Sequence, residues 1–258
     1  MNLRQSALSP AVAHLGLVRR RKAPLISLLA DRSEKEAAIA ISGTWCAFVL
    51  ALCLALPQPA KTTYIAIGSL LGALLIILGF AAASRCRSIS QHSASQRTKS
   101  AALAVLGGIG IGSVLVAILV ALAHREPALR ARFAGRLAEP AWRPWFLGLE
   151  SSIIEEVVFR LFVMGVVAWL ASRFMRYSQG PFFIALVASA VLFALAHLPA
   201  WLSLVHATPG LVGTVLVLNG SSGLMFAWLF WRWELPYAIV CHFMADIIVQ
   251  SLGPRFVA

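Results

Sequence analysis

Beyond residue 36, apolar stretches long enough to cross a bilayer alternate with short charged segments. A spanning helix needs about 20 predominantly apolar residues. Ala37 to Ala60 carries no charge and forms the first expected crossing, closed by Pro57 and Pro59. Thr62 to Ser84 is the second, and its Gly68 and Gly72 repeat at the spacing that lets two helices approach closely. Arg85 to Lys99, with Arg87 and Arg97, is a basic loop, and Ala101 to His124 is the third crossing. The glycines from Gly107 to Gly112 follow no strand, so they are expected to serve helix packing rather than phosphate binding. Arg125 to Arg143 holds five Arg and two Glu and reads as irregular or as an interfacial helix. Trp145 to Ser172 is the fourth crossing. No charged residue then occurs from Tyr177 to Trp231. At about 1.5 Å per residue, one helix of that length would exceed the bilayer core more than twofold. The run must fold back, and Pro199 to Gly210 is the expected break. Pro181 to Leu198 and roughly Leu211 to Phe230 become spans five and six, and Leu235 to Leu252 becomes span seven.

Composition supports the same picture. Of 258 residues 60% are hydrophobic and 12% charged, with a mean hydropathy of +0.83, outside the range of soluble domains. The expected fold class is all-α: a polytopic transmembrane helical bundle of about seven spans, its core formed by the last four. Residues 1–36 read as a basic cytoplasmic segment, 37–124 as three accessory spans, 125–144 as a basic interfacial loop and 145–258 as the membrane core. Net charge is +12 and the isoelectric point about 10.8. The Arg and Lys lie mostly between spans, so anionic lipid headgroups are the expected partner and nucleic acid is not. Basic flanks place the N-terminus in the cytoplasm, and the chain reads as an integral protein of a bacterial inner membrane. Cys46, Cys53, Cys86 and Cys241 form no Cys-x-x-Cys pair, so neither a disulfide framework nor a cysteine metal site is indicated. The apolar run from Ala23 to Ala30 is too short for a signal peptide.

The chemistry lies in the late spans. Span four carries Glu150, Glu155, Glu156 and Arg160. Each charge near mid-membrane costs about 2.5–3.5 kcal/mol on insertion scales, so the cluster needs pairing or a polar cavity. Glu156 precedes Arg160 by four residues and can neutralise it on one helix face. Glu155 is rotated by about 100° and left without a built-in partner. His197 closes span five, one turn after Phe193, and His242 and Asp246 share a face of span seven. Span directions bring Glu155, His197, His242 and Asp246 to one depth.

Glu155-Glu156-x-x-x-Arg160, Phe193-x-x-x-His197 and His242-x-x-x-Asp246 together resemble the three motifs of the CAAX-protease and bacteriocin-processing (CPBP, or Abi) family of intramembrane endopeptidases. The stretch from Gly223 to Arg232, leading into the third motif, adds to the likeness, which covers about residues 145 to 252. By that resemblance Glu155 is the general base, His197 helps activate water, and His242 and Asp246 stabilise the oxyanion or orient the water. Glu156, Arg160 and Phe193 would support them. Two positions depart from the family. Asp246 stands where Asn is common, and an ionised carboxylate cannot donate to an oxyanion as an amide can. Leu161 stands where Gly is frequent.

The substrate implied is a membrane-associated peptide or protein. Glu155, His197 and His242 are also a two-His-one-Glu set of the kind that holds catalytic zinc, so the cofactor is either none or a divalent metal such as zinc. Two other function classes compete. Buried carboxylates and histidines also build proton- or ion-coupled transporters, although no inverted repeat is visible here. A non-catalytic membrane scaffold or immunity protein could keep the same residues for packing.

Overall fold

The computed structural model describes residues 34–55, 61–86, 94–175, 179–204 and 208–258. Most of the expected N-terminal segment, Pro57 and Pro59, Arg87 and Arg176 lie outside the described residues. The chain is an all-α polytopic bundle. Its helices are α1 (Glu34–Ala55), α2 (Lys61–Cys86), α3 (Ala94–Ala123), α4 (Pro127–Arg136) and α5 (Arg143–Glu156). A π-helical segment (Val157–Met164) joins α5 to α6 (Gly165–Ala171), and α7 (Gly180–Leu202), α8 (Pro209–Arg232) and α9 (Leu235–Val257) follow.

Among the described residues five helical stretches are long and apolar enough to cross a membrane: Ile65–Ala83, Ser95–Ala123, Gly180–Leu202, Pro209–Arg232 and Leu235–Val257. Only 28–33% of each is buried inside the protein. Large side chains such as Leu70, Leu106, Val187 and Val217 face outward, a surface that suits lipid rather than water. In α1 the apolar run Ile39–Cys53 is shorter.

Small residues set the packing. A Cβ on Gly112 of α3 would lie 2.6 Å from Ile248 Cβ and 2.7 Å from the Ala245 carbonyl, and one on Gly108 would overlap the Cys241 carbonyl, so α3 lies directly against α9. The Gly107–Gly112 run therefore packs helices, as expected. Gly68 and Gly72 of α2 do the same against Leu52 and Phe48 of α1. The core joins Phe48, Ile76, Val157, Leu161, Phe193, Phe226, Leu229 and Cys241 across six elements. Cys46, Cys53 and Cys241 are free thiols.

Three elements differ from expectation, and in a fourth the helical alternative is the one observed. The fourth crossing is not uniformly α-helical, because Val157–Met164 takes the wider π turn. The third begins earlier, at Ala94, so Arg97 and Lys99 lie in the first turns of α3 rather than in a loop. The Arg125–Arg143 stretch contains the short helix α4, started by Pro127 and seated through buried Leu129 and Phe133. Finally, α7 does not stop at Leu198 but runs through Pro199 to Leu202. Proline removes one N–H, yet its own carbonyl still accepts from Ser203 N at 3.1 Å, and membrane helices accommodate such a gap. His197 consequently sits more than a turn inside α7 rather than at its end. Thr208 then caps α8 by accepting from Leu211 N at 3.2 Å.

Candidate active site

Helix α5 presents Ser151 and Glu155 one turn apart on one face, and α9 presents His242 and Asp246 in the same way. The helices run antiparallel, so these pairs meet in two steps. Ser151 donates to Asp246 Oδ2, and one turn further along Glu155 Oε2 lies 3.8 Å from His242 Nε2. From α7, His197 Nε2 reaches 3.7 Å from the same oxygen. Asp246 Oδ1 completes the group, 3.9 Å from His242 Nε2. The four residues expected to converge are thus together. Glu155 Oε2 is itself buried and has no hydrogen-bond partner among the described residues, although the whole side chain is 28% exposed.

Hydrogen bonding constrains the imidazole rings. His197 Nδ1 lies 2.8 Å from the Phe193 carbonyl. A carbonyl only accepts, so that nitrogen carries the proton, and Nε2 is the ring atom turned toward Glu155. His242 Nδ1 lies 2.9 Å from Glu156 Oε1. The other oxygen of Glu156 is 3.1 Å from Arg160 Nε, the ion pair anticipated from their spacing. That contact is close without meeting the directional requirement of a hydrogen bond, so it acts chiefly through charge. Both side chains are fully buried.

Aromatic rings stabilise the buried guanidinium. Arg160 Cζ lies 4.5 Å from the centre of the Phe193 ring and 5.6 Å from that of Phe226, within cation–π range. Its Nη2 also donates to the Gly223 carbonyl at 3.4 Å. Phe226 stacks on His242 at 4.6 Å and 13°. Phe193 touches both rings, with centroids 4.6 Å from His197 and 5.7 Å from His242. Ser189 donates at 2.8 Å to the carbonyl of Phe159 within the π segment.

Three features went beyond the sequence reading. Glu156 is shared between Arg160 and His242 rather than devoted to Arg160. Ser151 and Phe226 enter the site although neither was singled out. The i to i+4 spacing of Ser151 and Glu155 was a usable signal for the first, and the match of the Gly223–Arg232 stretch was one for the second.

Among the described residues no group of three His, Cys, Asp or Glu side chains is disposed to hold a metal ion. No step below is routed through a metal. A separate cavity of about 670 Å³ is lined by Ile153, Val157 and Leu161 together with α1, α2 and the start of α9. Ile153 and Val157 each lie two positions from Glu155 and face away from it, so this cavity backs onto the helix and contributes none of the polar groups.

Comparison with known families matches residues 137–248 to the model described as type II CAAX prenyl endopeptidase Rce1-like. The matched segment, residues 137–248, is similar to that family over 112 of the 258 residues. The match spans every polar residue of the site and agrees with the CPBP resemblance of the three motifs. At family level the match supports a CAAX-protease-like intramembrane endopeptidase, a hydrolase acting on a membrane-associated protein or peptide. No curated protein and no solved structure matches the chain.

Proposed function

We propose that Glu155 is the general base of peptide hydrolysis in this chain and that His197 shares the attacking water with it. The observation that carries the reading is the position of Glu155 Oε2, 3.7 Å from His197 Nε2 and 3.8 Å from His242 Nε2, with each ring supplied by a different helix. These separations let one water touch the carboxylate and His197 Nε2 together. Glu155 takes a proton as the water oxygen bonds to the scissile carbonyl carbon. The carbonyl oxygen becomes an oxyanion, and His242 Nε2 faces it as donor. Donation from both ring nitrogens requires the imidazolium form, and Glu156 and Asp246 offset its charge. The proton held by Glu155 then passes to the departing amine as the C–N bond breaks, leaving a new carboxyl terminus. Arg130 and Arg132, exposed on α4, suit anionic headgroups.

The test is cleavage by purified protein in lipid nanodiscs, with a library of membrane peptides that includes S-farnesylated CAAX ends, read by mass spectrometry. New carboxyl termini that disappear with Glu155→Gln and His197→Ala support the assignment. Undiminished cleavage by both variants, with wild-type melting behaviour, rejects it.

A further inference from the structure

The two steps between α5 and α9 are unequal in kind. Glu155 faces His242 across a 3.8 Å gap, whereas Ser151 binds Asp246 directly. Gly148 allows that second contact, since a Cβ there would lie 3.3 Å from Asp246 Cβ and 3.6 Å from Phe243 Cδ2. The Asp246 carboxylate is therefore held against the backbone of α5. Ser151 Oγ also lies 2.9 Å from the Leu147 carbonyl and 3.2 Å from that of Gly148. A hydroxyl has one proton, and of the three acceptors the charged carboxylate makes the strongest hydrogen bond. With Oδ2 engaged, Oδ1 is left facing His242 Nε2 at 3.9 Å.

We propose that Ser151 is a positioning residue of the hydrolytic site, fixing Asp246 so that its free oxygen aligns the His242 ring. The ring is then held from both sides, by Glu156 at Nδ1 and by Asp246 beside Nε2. Ser151 touches no reacting atom and acts through Asp246 alone. The role rests on the hydrolytic reading of Glu155 and extends it to a residue outside the three motifs.

The test uses the full chain in nanodiscs with an internally quenched, S-farnesylated CAAX peptide, and in parallel the ¹⁵N-imidazole resonances of His242, assigned with His242→Gln. Ser151→Ala is expected to lower kcat about tenfold with KM within about twofold, and to shift the His242 resonances. Ser151→Thr, which keeps the hydroxyl, restores both. Adding Ser151→Ala to Asp246→Ala slows cleavage no further. Unchanged His242 resonances in Ser151→Ala overturn the proposal, as does a further tenfold loss on top of Asp246→Ala. If Glu155→Gln still cleaves, the base assignment fails on its own, and the role of Ser151 is judged by the resonances.

Discussion

Arg160→Met separates what holds this site together from what makes it react. Arg160 and Glu156 are fully buried and 3.1 Å apart. At that distance and an effective dielectric constant near 20 their attraction is about 5 kcal/mol. Removing the guanidinium also forfeits its faces on Phe193 and Phe226. Glu156 keeps His242 as a partner at 2.9 Å, so part of its burial cost stays covered. The expected destabilisation is about 3–5 kcal/mol, the usual cost of breaking a buried pair. For a chain of this size that lowers the melting temperature by about 6 to 20 °C. The assay is thermal unfolding in lipid–detergent micelles, followed by circular dichroism. Adding Glu156→Gln removes the stranded carboxylate and is expected to recover most of the loss, while cleavage stays impaired because His242 has lost its charged partner. A wild-type melting temperature for Arg160→Met would refute the reasoning, as would full activity in the double variant.

Gly112→Ala is expected to cost about 1–3 kcal/mol, because the new methyl meets Ile248 and the Ala245 carbonyl, whereas Gly110→Ala, with nothing within 4 Å, is expected to be neutral in the same melting assay. Cleavage is expected to survive a strong chelator. Loss on chelation and recovery with zinc would instead favour Glu155, His197 and His242 as ligands.

The fold was legible where the bilayer dictates sequence. Uncharged runs such as Pro181 to Leu198 and Leu211 to Phe230 have few alternatives to helix, and the Gly107–Gly112 run announced close packing. The π segment was not legible, since Val157 to Met164 is equally apolar whether its bonds run to i+4 or i+5. Pro199 misled because proline ends most helices, whereas here its carbonyl still takes part in the ladder. In the site, the motifs picked out Glu155, His197, His242 and Asp246 because ionisable groups in apolar spans demand an explanation. The link from Glu156 to His242 stayed hidden because Glu156 already had a partner one turn away, and the true network closes across 86 residues of chain. Ser151 was hidden for a different reason. A serine in a membrane helix ordinarily satisfies itself on its own backbone, and only the antiparallel contact with α9 reveals Asp246 as its acceptor.

The central claim is that the Glu155 carboxylate, held between two imidazoles, activates water. It is tested most directly by single-turnover cleavage in ¹⁸O-water, comparing wild type with a Glu155→Gln protein of matching melting temperature. The account predicts ¹⁸O in the new carboxyl terminus of the wild-type product and a rate at least about 100-fold lower for the variant. Cleavage by Glu155→Gln at the wild-type rate would contradict it.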